Sequence, residues 1–290
     1  MGTSQSNPGP GGGVPMVPPW ADDPPSDETP DSPTDGDEGP QRDGSEPEEE
    51  NPTPTSRPTM PAIEPSPLRR FAGSSRNLGD YARTGNKDAL QRGVGQYVKK
   101  GYGGAGTATR RLGSTATTAG ALSSALSQLS GNTQVQDGSS LDPTLLAGKS
   151  ADAVMDAVVE AARPVDGTQD AEASRASIRD AMSDMLTEHP DADLFGLTDE
   201  QREKIIENYA ANDVFRRFEL DIGKTIRDKA PSVTAGLTRL GQARDYIKQT
   251  VAAAFRDLRD TNRSFSKNSI GSVVRSAIRE AFEVFEEYAL

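Results

Sequence analysis

The 290 residues contain no cysteine, which excludes a disulfide framework, a thiolate zinc site and a cysteine nucleophile, and suits a reducing cytoplasm. Histidine and tryptophan occur once each, as His189 and Trp20. His189 falls where a helical pattern stops before Pro190. A helix C-terminus favours an imidazolium, so this residue reads as a charge-complementing cap. No base–nucleophile set accompanies it, and no catalytic residue is assigned. No apolar run approaches the ~18 residues of a membrane span, and the N-terminus lacks the charged and apolar regions of a signal peptide. The expectation is a soluble cytoplasmic protein. Apolar residues make up 33% of the chain, too few to build two ordinary cores from this length, so much of it is expected to stay unfolded. No stretch alternates as a strand does, and no internal repeat is visible.

What is present is sharply segregated. Of the 21 prolines, 17 lie in residues 1–67; the others, Pro143, Pro164, Pro190 and Pro231, each fall where a helical pattern starts or stops. Residues 21–50 hold 13 acids and one base, whereas residues 66–112 hold 10 bases and two acids. An acidic run beside a basic one implies self-screening, two different partners, or simply a solvated linker next to a helix with exposed Arg and Lys.

Residues 1–20 form a Gly/Pro-rich arm. Gly2 behind Met1 is the pairing after which methionine is normally trimmed, leaving an unhindered amine with a pKa of about 8. Thr3 to Gly13 offers nothing that can enter a core, and Val14 to Trp20 reads as polyproline II, with Pro15, Pro18 and Pro19 setting φ and Trp20 as an apolar anchor. Gly2 with Ser6 also fits an N-myristoylation pattern, although one acyl chain anchors weakly and the acidic run would be repelled by anionic lipid. A plain tail, an acylated glycine and a partner-recognised N-terminus all remain open. Residues 21–66 read as a disordered acidic, Pro-rich linker that would span roughly 35–40 Å as a flexible coil.

The segment MGTS, the run GVPMVPPWADD and the stretch GYGGAGTATRRLGSTATTAGALSSAL together resemble the QatB family, the B components of bacterial Qat anti-phage defence systems. The resemblance implies three partners: an ATPase, QatA; a QueC-like protein, QatC, related to enzymes of deazaguanine biosynthesis; and a TatD-like nuclease, QatD. It further implies that the QueC-like partner attaches a deazapurine to the amine of Gly2; the small Thr3 and Ser4 and the anchors Pro15, Pro18, Pro19 and Trp20 would then serve recognition of that end.

Residues 67–132 read as a basic, Gly-rich helical segment. Gly73, Gly79, Gly85, Gly93 and Gly95 are expected to break Leu68–Lys100 into short helices. Gly101-Tyr-Gly-Gly-Ala-Gly106 matches GxGxxG, but neither a preceding strand nor a distant acid accompanies it, so it reads as a glycine hinge. The GK[ST] fragments at Gly148 and Gly223 lack the upstream glycine of a phosphate loop. Thr107–Ser130 is expected to be one helix whose small residues admit a close neighbour, and Lys99, Lys100, Arg110 and Arg111 form a candidate basic patch. Nucleic acid is a partner that patch could take, though only Tyr97 and Tyr102 interleave as stacking platforms.

Residues 142–290 read as a helical bundle domain. Asp142-Pro143 caps a short turn, Ser150 caps a helix to Pro164, and a helix follows over Gln169–Glu188. Asp152, Asp156 and Glu160 share one face of the second of these, an arrangement that suits a hard cation or, more simply, a solvated surface; no metal ligand is assigned. A capping box at Thr198–Gln201 opens a helix to about Lys229, and Leu237–Asp260 and Ser272–Leu290 follow, the last with an Arg279–Glu283 pair. The fold class is therefore all-α, a disordered arm followed by a bundle. The functional expectation is a non-enzymatic adaptor without cofactor, and the alternative is a nucleic-acid-binding module using residues 69–111.

Overall fold

Capping side chains set about half of the α-helix starts in the computed structural model, which describes residues 70–131, 140–260 and 269–289. The arm, the linker and with them Gly2, Thr3, Ser4, Pro15, Pro18, Pro19 and Trp20 lie outside the described residues. Every element described is helical: α1 Ala72–Thr84, α2 Lys87–Gln96, a π-helical turn Tyr97–Gly101, α3 Ala105–Arg111, α4 Gly113–Leu129, α5 Pro143–Leu146, α6 Ala151–Ala162, α7 Gln169–Glu188, α8 Asp199–Phe218, a second π-helical turn Glu219–Gly223, α9 Lys224–Lys229, α10 Val233–Asp260 and α11 Ile270–Glu287. Asn86, Asp142, Ser150 and Thr168 each accept from the orphaned N–H groups of the first turn behind them. Thr198 and Gln201 close the expected capping box in both directions. Among the described residues no helix is long and apolar enough to cross a membrane.

Helices α4 and α8 are the inner elements. α4 packs on α11, α6 and α8, while α8 runs along α7 on one side and α10 on another. α4 is buried on more than one face, with Thr115, Thr118, Ser123 and Ser127 enclosed as well as Leu122 and Leu126. Its small residues let α11 approach closely: a Cβ on Gly271 would lie 3.1 Å from the Ala116 carbonyl oxygen. The helices before and after residues 132–139 contribute to one hydrophobic core, in which Leu78 and Val98 are as fully enclosed as Ile178 and Phe255. That sharing follows from α11, which packs on α2 and α3 as well as on α4 and α10.

Several boundaries differ from those expected. Gly73 and Gly79 sit inside α1, and Gly93 and Gly95 inside α2; of the five expected breaks only Gly85 is one, with φ 74° at the end of α1. Gly93 and Gly95 are there because neighbours come too close for a side chain. A Cβ on Gly93 would meet Leu78 at 2.7 Å, and one on Gly95 would lie 2.6 Å from the Phe285 carbonyl oxygen. The hinge reading of 101–106 applies to its centre: Gly103 and Gly104 have φ 79° and 100°, whereas Gly101 ends the π-turn and Gly106 lies within α3. Thr107–Ser130 is not one helix but two, interrupted at Leu112, whose side chain is buried. α10 starts at Val233 rather than Leu237, and α11 runs Ile270–Glu287 rather than Ser272–Leu290. The Arg279–Glu283 pair forms at 2.9 Å.

Candidate functional site

Both π-helical turns come together at one place. A π-turn inserts an extra residue into a helix, and such turns recur where side chains are re-aimed for a purpose. Tyr97 opens the first turn and Asp221 is the middle residue of the second, and the Tyr97 hydroxyl donates to Asp221 Oδ2 at 2.8 Å. Tyr102, one residue beyond the first turn, donates to the same oxygen at 2.6 Å. Phe71 stacks on Tyr97 at 5.2 Å, and Phe218 meets the other side of the cluster edge-on at the same spacing. The cluster is a rigid aromatic wall.

Against this wall lies a cavity of about 340 Å³ lined by Arg70, Tyr102, Arg111, Leu112, Asp170, Arg217, Leu220 and Asp221. Its three guanidinium groups come from three separate parts of the chain: two residues before α1, the end of α3 and the end of α8. Arg70 and Arg111 both lie over the Tyr102 ring, at 5.2 and 5.8 Å from its centre, within the range in which a cation is held by an aromatic face. Arg70 also pairs with Asp221 at 3.6 Å. Arg217 donates to Asp170 and, at 3.0 Å, to Ser114 Oγ. Leu220, half exposed, also lines an open groove of about 560 Å³ with Thr168, Glu172, Arg216 and Arg227.

Beneath the cavity is a buried polar layer on α8. Every residue from Ile205 to Phe215 is buried, including Glu207, Asn208, Asn212 and Asp213. Asp213 is fully enclosed, accepts from Thr115 Oγ1 at 2.6 Å and lies 3.8 Å from Arg217 Nε. Burial pushes its carboxyl above the ordinary carboxylate range, with the Thr115 hydrogen bond and Arg217 acting against that rise. Burial also pulls Arg217 down, but Asp213 and Asp170 more than offset this and hold it up. Tyr102 is pushed up to about 12, first by burial and then by its bond to Asp221, so it stays a donor at neutral pH. Tyr209 exchanges a 2.8 Å hydrogen bond with Ser174, and burial raises its phenol further. Glu207 holds Lys204 at 3.1 Å and also takes Arg259.

Of the four residues of the expected basic patch, Arg111 alone lines this cavity; Arg110 turns to Thr107 Oγ1 at 3.0 Å, and Lys99 and Lys100 are exposed at the end of the first π-turn. Asp156 and Glu160, read together as one acidic face, pair with Arg179 and Arg175. Among the described residues no group of three or more acidic or histidine side chains is placed to hold a metal ion. His189 ends α7, exposed, with its N–H on the Met185 carbonyl. The GK[ST] fragments hold no phosphate loop: Ser150 is a helix cap, and Gly223-Lys-Thr225 runs without a loop from the second π-turn into α9.

Sequence reasoning missed Asp170, Asp213, Arg217 and Asp221. Their α-helical spacing does not separate them from a solvated face, and the one available signal was Asp213 with Arg217, an i, i+4 acid–base pair flanked by Val214 and Phe218.

Compared with known protein families, residues 103–285 match the family described as Qat anti-phage system associated protein QatB. Comparison with curated proteins and with solved structures returned no match.

Proposed function

From the premise that this chain belongs to the QatB family and is a component of Qat anti-phage defence, we propose that it works as a non-enzymatic adaptor that presents Gly2 to a QueC-like partner. The observation that supports this reading is the family match over residues 103–285, most of the helical body, in a chain that also begins MGTS and continues to GVPMVPPWADD. The body docks on the defence partners QatA, QatC and QatD, and the arm delivers a glycine amine that no side chain hinders. With a pKa of about 8, roughly a tenth of such amines are neutral and nucleophilic at pH 7. Thr3 and Ser4 keep the end slim, and Pro15, Pro18, Pro19 and Trp20 add the docking surface that so featureless an end lacks.

The test is the intact mass of the N-terminal peptide purified from cells carrying the neighbouring genes. The expected result is a mass addition on Gly2, lost together with phage protection in Gly2→Glu. An unmodified N-terminus in the complete, protective system would overturn the proposal. The rival reading, nucleic-acid binding through residues 69–111, would be favoured by salt-dependent retention of DNA or RNA by the full chain in the absence of partners.

A further inference from the structure

We propose that a second cavity, between α2 and α10, binds a single α-amino acid with an apolar side chain, its carboxylate on Lys87 and its ammonium on Asp245. This goes beyond the adaptor reading and does not depend on it. The cavity measures about 330 Å³ and shares no residue with the one at the π-turns. That is the lower end of the ligand-pocket range, roughly 300–1,000 Å³, and suits a ligand of amino-acid size. Its apolar lining comes from Leu90 and Tyr81, both buried, and from the half-buried Tyr246.

Charge selects the ligand. Lys87 on α2 and Asp245 on α10 are the two charged residues of the lining, and although they share the cavity they do not pair with each other. Lys87 forms no ion pair with a described residue, and Asp245 has only Arg244, at 3.9 Å and more than half exposed, a contact that contributes little. The charges around them do not tip the balance: Arg83 is taken by Asp80 and Lys248 by Asp184, while Asp88 and Arg239, which adjoin the lining, are one of each sign. A simple anion or cation would meet one partner and be repelled by the other, whereas a zwitterion satisfies both. Gln242 adds a donor on the carboxylate side. Its Oε1 is taken by the Tyr81 hydroxyl and by Arg239 Nη1, each at 3.0 Å, which fixes the amide and leaves its NH2 without a partner among the described residues. Burial pushes Tyr81 up to about 12, with Arg239 acting against that rise, so the hydroxyl keeps its proton and the amide its orientation at neutral pH.

Titration of the isotope-labelled full chain with L-leucine, at pH 7 and constant ionic strength and followed by NMR, tests this. Saturable one-site binding with a Kd of about 1 mM or tighter is expected, with shifts centred on Leu90 and on the side-chain amides of Gln91, Gln242 and Gln249. Leucinamide, which lacks the carboxylate, and N-acetyl-leucine, which lacks the ammonium, should each bind about tenfold or more weakly, the loss of one charge-assisted pair. Lys87→Gln should weaken leucine to the level of leucinamide and leave leucinamide itself unchanged; a purely structural role would weaken both. Arg244→Gln should tighten leucine, because it removes the cation that competes for Asp245, and Arg92→Gln, exposed on α2 outside the cavity, should change nothing. No saturable shifts, equal binding of leucine and leucinamide, or equal losses of both ligands in Lys87→Gln would overturn the proposal. Tighter binding of N-acetyl-leucine than of leucine would also overturn it, and would identify a peptide C-terminus as the ligand instead. Lys87 is exposed, so its substitution should fold normally, and unfolding temperature checks that.

Discussion

Replacing Gly95 by alanine sets two physical effects against each other, and the structure decides the sign. In an open helix the change is favourable by about 1 kcal/mol, because glycine has more backbone freedom to lose. Gly120, inside α4 with nothing within 4 Å of where a Cβ would sit, is such a case. Gly95 is not. Its Cβ would lie 2.6 Å from the Phe285 carbonyl oxygen and 2.8 Å from the Ala289 amide nitrogen, both backbone atoms of the α11 end that cannot rotate aside. Gln96 beside it is bonded to the Ala289 carbonyl at 2.7 Å, so prising the two segments apart also lengthens that bond. Overpacking of this kind costs roughly 1–3 kcal/mol, and more where only backbone can yield. Set against the propensity gain, Gly95→Ala should be destabilising by about 1–2 kcal/mol. For a body of this size each kcal/mol moves the unfolding temperature by about 2–4 °C. Gly95→Ala is therefore expected to lower Tm by about 2–8 °C, and Gly120→Ala to raise it by about 2–4 °C, in thermal unfolding followed by circular dichroism. If both variants rise together, the α2–α11 contact is not as close as described and the reading of these glycines as packing residues fails.

Two other outcomes concern α8. The buried carboxyl of Asp213 sits above its ordinary value of 3.8. Between that value and its raised folded value the native state holds a proton that the unfolded chain has released, so stability declines as pH rises through this window. Asp213→Asn cannot titrate: the Tm of the variant relative to the natural protein should improve as pH is raised from 4 to 7, and a flat or reversed difference would refute the burial argument. Thr198→Ala removes the hydroxyl that accepts from the Gln201 N–H at 3.2 Å while leaving the backbone N–H of residue 198 on Gln201 Oε1 at 2.9 Å, and should cost about 1 kcal/mol, read as a Tm lower by about 2–4 °C. No change there would mean that the first turn of α8 is held by its packing alone.

Local chemistry made much of this architecture legible from the chain. Caps act within three or four residues, so Asp142-Pro143, Ser150 and Thr198–Gln201 each marked a helix start that the structure keeps. Stripes at 3.6-residue spacing identified buried faces on α10 and α11, where Ile247, Val251, Ile278 and Phe285 are enclosed, and the absence of alternation pointed to an all-α fold. The glycines were another matter. One residue type serves both as a breaker and as the only side chain thin enough for a helix crossing, and the difference between Gly85 and Gly95 lies in what stands opposite, 190 or more residues along the chain for Gly95. The inner position of α8 was equally invisible. A helix that is polar on one side reads as half solvated, yet Glu207, Asn208 and Asp213 are buried because α4, α7 and α10 surround it and supply Thr115, Arg259 and other partners. The cavity was hidden for the same reason, since Arg70, Arg111, Asp170 and Arg217 stand far apart in the chain and meet only where two π-turns bring their helices together. Sequence alone determined the helix starts that carry a capping side chain, the apolar faces of the long helices and how charge divides along the chain, because those properties depend on neighbours a few residues away. Tertiary structure decided which polar groups are enclosed and which arginines share a cavity, because burial and charge balance are set by residues that sequence separation does not reveal.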